Sequence, residues 1–487
     1  MKSIRLLVSV SVCMISLSTA AVYVQAQRGN NNQQGPGGAG AGQPPTVQDP
    51  GVRASSSTIG QPLTTLTSEQ LQFFQDGMAR FVQVDSVSGG APNEPGAGLG
   101  PGFNSNSCAS CHAQPTVGGS SPSQSQYPFI GQNPQILAAT DYGGTNSIPY
   151  FITADGPVRE ARFPFVVGSR GVTNTPDGGV HDVFTIAGRQ DATGCTMAQP
   201  NFEQMQQLNN IIFRIPTPVF GAGLMETIPD STILANMSSN QKLKQMLGIS
   251  GQPNTSGNDG TITRFGWKAQ NKSLDIFAGE AYNVEIGVTN ELFPNERNNP
   301  PAACLYNATP EDSTNFDSSG YAIVSDVVEF GHFMRFLAPP PQSSQGIPGN
   351  PPPQSIQNGQ AQFGNVHCDM CHTPSMQTGT SAFTPGLSNQ TAQLFSDLLL
   401  HHMGSSLADN ISQGAAAGDQ FRTAPLWGLG QRIFFLHDGR ATPANGGLLR
   451  AIEDHQGSGS EANQVISLFN QLSPQNQQDL LNYLRSL

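Results

Sequence analysis

Apolar residues recur at helical spacing in only a few stretches, separated by polar chain rich in glycine and proline. The clearest begins at Thr67. There Thr67 and Gln70 have the form of a capping box, and Leu71, Phe74, Met78 and Phe81 follow at three- and four-residue steps. A second runs from Ile323 to Leu337 through Val327, Val328, Phe330, Phe333, Met334 and Leu337. The chain closes on Ser473 as N-cap, Pro474 at the first helical position, and Leu480, Leu481, Leu484 and Leu487 on one face. From Gly118 to about Gly320, short apolar runs alternate with Gly, Pro, Asn and Asp clusters; Phe151–Phe165 and Ile211–Phe220 suit strands best. The pattern predicts a mainly α chain with long loops and a little β in its N-terminal half.

The first residues read as an export signal: Lys2 and Arg5, an apolar stretch Leu6 to Leu17 broken by serines, and small-residue cleavage after Ala26. That stretch is too short to span a bilayer comfortably, so periplasmic or secreted localisation without stable membrane insertion is expected. Residues 27–65 have almost no apolar content with which to offset ordering entropy and read as a disordered tether. Pro339 to Gly359 reads as a second polar linker or surface loop. The remainder divides into an expanded N-terminal domain, 66–321, and a C-terminal domain, 322–487.

Lysine and arginine total 22 against 34 acidic residues, a net charge of −12 that becomes −14 once Lys2 and Arg5 are removed with the signal. That balance argues against nucleic acid and anionic membranes, and fits a small basic redox protein or an uncharged small molecule as partner. Of seven cysteines, Cys13 lies in the signal and four form Cys108-Ala109-Ser110-Cys111-His112 and Cys368-Asp369-Met370-Cys371-His372. In this motif two thiols reach the two vinyl groups on one porphyrin edge, and the next residue presents its imidazole to the iron. Two covalently bound haem c groups are therefore expected, held by Cys108 and Cys111 and by Cys368 and Cys371, with His112 and His372 as proximal iron ligands. A redox dithiol does not need the following histidine, and a zinc site would need a partner pair. Cys195 and Cys304 are left over, which in an oxidising compartment favours a disulfide.

Several further segments carry a resemblance. Pro425-Leu426-Trp427-Gly428-Leu429-Gly430, Phe435-Leu436-His437-Asp438-Gly439-Arg440-Ala441 and Ala451-Ile452-Glu453-Asp454-His455 resemble the C-terminal half of bacterial di-haem cytochrome c peroxidases and their MauG-type relatives. Gly98–Asn104, Phe184–Arg189, Gly221–Glu226, Arg264–Lys268 and Ser396–Gly404 bring the likeness closer to the di-haem oxidoreductase family of peroxidase type, also labelled thiol oxidoreductase-like. It runs from about residue 66 to the end and is strongest around the second motif. The thiol label is discounted, since the spare cysteines are far apart and not in a CxxC.

The resemblance implies two cytochrome c-like haem domains, the C-terminal one for electron transfer and the N-terminal one holding the active site. It implies a His372/His455 pair on the second iron, low-spin and of low potential, with Met403 as the rival ligand and His437 in a structural role. No histidine lies between His112 and His181, so the first iron is open or weakly capped, or His181 reaches back to it. Glu226 is the acid–base candidate for peroxide chemistry. Trp267 or Trp427 could lie between the haems as a relay, or simply fill space against porphyrin. Arg264, Lys268 and Arg440 are candidates for neutralising propionates, and the resemblance suggests calcium between the domains. The implied activity is reduction of an oxidant such as hydrogen peroxide by electrons passing from a small redox protein through the second haem to the first. The alternatives are a pure electron carrier and a MauG-like or oxygenase oxidation of an organic substrate.

Overall fold

A computed structural model describes residues 46–91, 98–123, 132–381 and 384–487; the signal segment and residues 27–45 of the tether lie outside the described residues. Thr67 caps the first helix, Ser68–Val82, with the reciprocal Gln70 bond that the sequence predicts. Its buried face is Phe74, Gly77 and Phe81, whereas Leu71 and Met78 are more than a third exposed. Gly77 explains the rotation: a Cβ there would lie 2.2 Å from the Glu329 carbonyl oxygen, so only glycine allows the backbone of helix Asp326–Phe336 to approach this closely. That second helix starts at Ser325, its N-cap, and packs in the core around the first helix through Phe330, Phe333 and Leu337. It does not head the C-terminal core, where the sequence boundary at 322 would put it.

The helix before the second haem motif repeats the device. Pro353–Asn365, which begins inside the stretch read as a linker, crosses the C-terminal helix Pro474–Ser486 at Gly359, where a Cβ would lie 1.9 Å from the Asp479 carbonyl. Phe363, Leu429, Phe435, Leu448, Phe469 and Leu484 complete this second core.

Sheet is more widespread than expected, and the chain is mixed rather than mainly α. One antiparallel sheet has the order Val180–His181, Glu160–Arg162, Ile212–Arg214, matching the strands expected in the N-terminal half. Two-stranded ladders also occur in the C-terminal half, at Met376–Gln377 with Thr391–Ala392 and at Leu400–His402 with Gln420–Arg422. Cys195 and Cys304 form a buried disulfide. Among the described residues no helix is long and apolar enough to cross a membrane.

Residues 46–65 are packed, not a disordered tether. The Asp49 carboxylate takes two bonds from the fully buried Arg485, at 2.7 and 2.6 Å. Arg53 is buried, bonding the carbonyls of Ser343 and Leu487, and Leu63 N donates to Phe336 O at 2.8 Å. Ion pairs and backbone bonds to distant residues order this segment, which apolar content cannot register.

Candidate active site and haem cavities

Cys108–Cys111 makes one helical turn and hands the chain to His112, whose Nδ1 donates to the Gly119 carbonyl at 3.0 Å. That bond orients the imidazole, as the outer hydrogen bond of a metal-ligating histidine does. His112 packs edge-on to Phe81, 5.8 Å between centroids. It lines a cavity with about 1170 Å³ of empty space, and no other histidine is in the wall. His181 lies elsewhere, stacked on Phe163 at 3.8 Å with Nε2 against Asp177, so it does not reach back over this cavity.

The wall of the first cavity carries an acid pair that sequence motifs do not flag. The strand register sets Glu160 opposite Arg214, and a π-helical turn, Tyr282–Ile286, brings up Glu285. Burial, and then the facing Glu160 charge, hold the Glu285 carboxyl well above the usual range, so it stays protonated. Burial acts on Glu160 too, but the Arg162 and Arg214 charges outweigh it and keep that carboxyl below its ordinary value. Arg162 Nε lies 2.7 Å from Glu160, and Asn104 Nδ2 donates to Glu285 at 2.9 Å. One neutral acid beside one carboxylate is the arrangement that moves protons. The available signal was an acid inside the mostly apolar run Ala281-Tyr282-Asn283-Val284-Glu285-Ile286. Glu226, the sequence candidate, is outside this wall. It accepts from Arg335 Nε at 2.8 Å and Leu274 N at 2.9 Å, a packing role.

The second motif repeats the histidine geometry. His372 Nδ1 donates to the Phe395 carbonyl at 3.0 Å, and Phe395 holds a left-handed φ of 52° to place it. Helix Gly447–Glu453 delivers His455, whose Nδ1 donates to Ala451 O at 2.6 Å. Both imidazoles line one cavity with about 1410 Å³ of empty space, walled by Phe363, Leu429, Phe435, Val465 and Leu480. Burial, and then the neighbouring His455, push His372 down to about 4, and burial lowers His455 as well. Both are neutral, the form that binds iron. Met403 is also in this wall.

Trp267 belongs to both walls; its Nε1 donates to Ile215 O at 2.8 Å, while Ile215 N donates to His437 O at 2.8 Å. His437 is stacked on Phe421 at 4.3 Å and lies edge-on to Trp267 at 6.4 Å, both of them in the second wall. Trp427 lines neither cavity and fills space against Gly221.

The basic residues expected on propionates are otherwise engaged. Arg264 bonds the carbonyls of Met225, Glu226 and Ile228 together with Asp230. Lys268 bonds Asp409 at 3.0 Å and the carbonyls of Ala417 and Gln420, and Arg440 bonds Asp438 and Ser406 O. None lines a cavity.

Near Cys371, the buried His401 imidazole lies between Asp397 at 2.9 Å and Glu461 at 2.7 Å. Cys371, Asp397 and His401 form a group with metal-ligand spacing among the described residues, but its sulfur belongs to the haem motif and it is not the oxygen shell calcium takes. Burial alone would raise Glu461, yet bonds from His401 and Ser250 bring it down to about 2. A depressed carboxylate stabilises above its unfolded value and loses that contribution as pH falls toward the folded one. We therefore expect Glu461→Gln to flatten the Tm–pH profile between about 4.5 and about 2, measured by thermal melts; an unchanged profile would count against the pairing.

Nδ1 atoms held by backbone carbonyls on His112, His372 and His455, four unpaired thiols at two-residue spacing, and a cavity beside each motif all fit haem at both motifs. No curated protein matches the chain. A solved structure of hydrazine synthase from Kuenenia stuttgartiensis, pressurised with xenon, aligns at 14% identity over 92% of this chain and 100% of that one, with a TM-score of 0.31, too low to carry an argument. The family model described as "Di-haem oxidoreductase, putative peroxidase" matches residues 170–487, which include the second haem motif and His455. The chain therefore belongs to the di-haem oxidoreductase family and is an oxidoreductase that works with haem.

Proposed function

We propose that this is an exported peroxidase-type enzyme carrying two covalent c-type haems, which takes electrons from a small redox protein at the second haem and reduces a peroxide at the first. The observation that carries it is the asymmetry of the two cavities. The second has His372 and His455, both neutral, among the histidines of its wall. The first offers His112 alone, together with the Glu285–Glu160 pair. A pure electron carrier has no use for a buried proton donor in one of its haem cavities, and the difference favours chemistry there.

Haem at the two motifs supplies the redox chemistry. Reducing hydrogen peroxide to two waters takes up two electrons and two protons. Glu285, held neutral, is placed to give a proton to the leaving oxygen, and Glu160, held ionised by Arg162 and Arg214, is placed to accept one. Trp267 offers an aromatic bridge between the cavities. The buried Cys195–Cys304 disulfide supports export to an oxidising compartment, with residues 1–26 as the signal.

The test is low-temperature EPR of the fully oxidised, haem-loaded protein with and without cyanide. One high-spin ferric signal that cyanide converts, beside one low-spin signal that it leaves alone, is the expected result. Two low-spin signals untouched by cyanide would overturn the peroxidase reading of the resting enzyme.

A further inference from the structure

Two buried guanidiniums face the second cavity without an anion. Arg432 is 6% exposed, makes no side-chain hydrogen bond to a described residue, and has Nε and Nη2 shut away from solvent. Arg422, also 6% exposed, gives Nε to Gly266 O and Nη1 to Thr423 O, both at 3.1 Å, and has no carboxylate partner. Burial pushes each down to about 10, and for Arg422 the neighbouring Arg432 charge adds to the effect. Asp397, the carboxylate that acts on Arg422, is bonded to His401. An uncompensated buried charge costs several kcal/mol, and two of like sign cost more. A fold that keeps both in an apolar cavity must receive negative charge from what binds there. The porphyrin of a c-type haem carries two carboxylates on the edge across the ring from its vinyl groups, and guanidinium forks match carboxylates.

We infer that Arg422 and Arg432 would receive the two propionates of the haem in the second cavity, on the side of Trp267, the residue that both cavities share. The assignment rests on haem occupying this cavity. Arg422 fixes the direction, because its backbone N donates to Trp267 O at 2.9 Å and its Nε to Gly266 O. The thioether edge at Cys368 and Cys371 is then left for an incoming electron, and the carboxylate edge for the outgoing one.

The experiment is spectroelectrochemistry and resonance Raman on the haem-loaded wild type and on Arg432→Met, Arg432→Gln, Arg422→Gln and the lysine variant of each position. Removing a cation beside the ring disfavours adding an electron. The Met and Gln variants should therefore lower the reduction equilibrium constant of the second haem at least tenfold, about 59 mV for a one-electron couple. Their propionate bending modes should shift, the lysine variants should recover most of the potential, and the first haem should move much less. If Arg432→Met fails to load, Arg432→Gln reads the same shift with volume and polarity kept. Two haems per chain with potential and propionate modes unchanged would overturn the assignment. So would a wild-type potential that follows phosphate or chloride concentration, which would give the arginines to a solution anion. Wild-type haem content is measured first: a second motif without haem would sink the functional reading itself, an outcome distinct from an unshifted potential.

Discussion

Replacing Glu285 by glutamine is expected to cut peroxide turnover by roughly 10²–10⁴-fold while leaving haem content, EPR signals and cyanide binding as they were. Glutamine keeps the shape and can still accept from Asn104, but it has no proton to give. The pH dependence follows from the direction of the shift. A carboxyl held well above its usual range keeps its proton to higher pH than an ordinary one, so activity that needs the acid form falls as pH rises through the raised value. Glu160→Gln removes the facing charge that helps raise Glu285, and should move this alkaline limb to lower pH. Steady-state peroxide assays across pH check both variants. Wild-type turnover in Glu285→Gln would return the proton donor to some other group.

The second large effect is on stability. Asp409 takes Arg214 Nη2 at 2.6 Å and Lys268 Nζ at 3.0 Å, and all three side chains are essentially sealed from solvent. Arg214 lines the first cavity, and the Lys268 ammonium sits 4.1 Å from the ring centre of Phe421 in the wall of the second. Asp409→Ala would leave Lys268 with carbonyl and aromatic partners and Arg214 with the Gln413 amide and the Glu160 charge alone, and should cost about 3–5 kcal/mol in denaturant unfolding. Desolvation has already taken Lys268 down to about 8, so part of the penalty can be relieved by its losing a proton at alkaline pH. The double change Asp409→Leu with Lys268→Met should recover some of the loss, because an apolar pair does not strand a charge. A loss below about 1 kcal/mol would mean that solvent reaches the pair.

What was legible in the chain was what local spacing encodes. The capping box at Thr67 and the cap at Ser473 are short-range patterns, and each is built as its spacing predicts; the two CxxCH motifs are short-range patterns too. The Cys195–Cys304 bridge followed from having only two cysteines to spare. The acid pair was not legible, because Glu160 and Glu285 meet only through a strand pairing and a π-helical turn 125 residues apart. Glu226 drew attention through its motif, yet its carboxylate is consumed by Arg335 on a helix far along the chain. The basic residues failed in the same way: Arg264, Lys268 and Arg440 stand in recognisable motifs with partners already, whereas Arg432 is conspicuous only by lacking one and Arg422 by having no carboxylate.

The embrace of Arg485 by Asp49, and of the Leu487 carbonyl by Arg53, joins residues that synthesis separates by nearly the whole chain. The segment around residue 50 is thus closed by the helix Pro474–Ser486 and Leu487. Closing so large a loop is entropically costly and slow relative to local structure. Until the helix Pro474–Ser486 is in place, the second core lacks Leu480, Leu481, Tyr483 and Leu484, which close it. A chain truncated by its last few residues would forfeit that closure, and would be expected to show its damage first as sensitivity to proteolysis near residue 50 rather than at its own cut end.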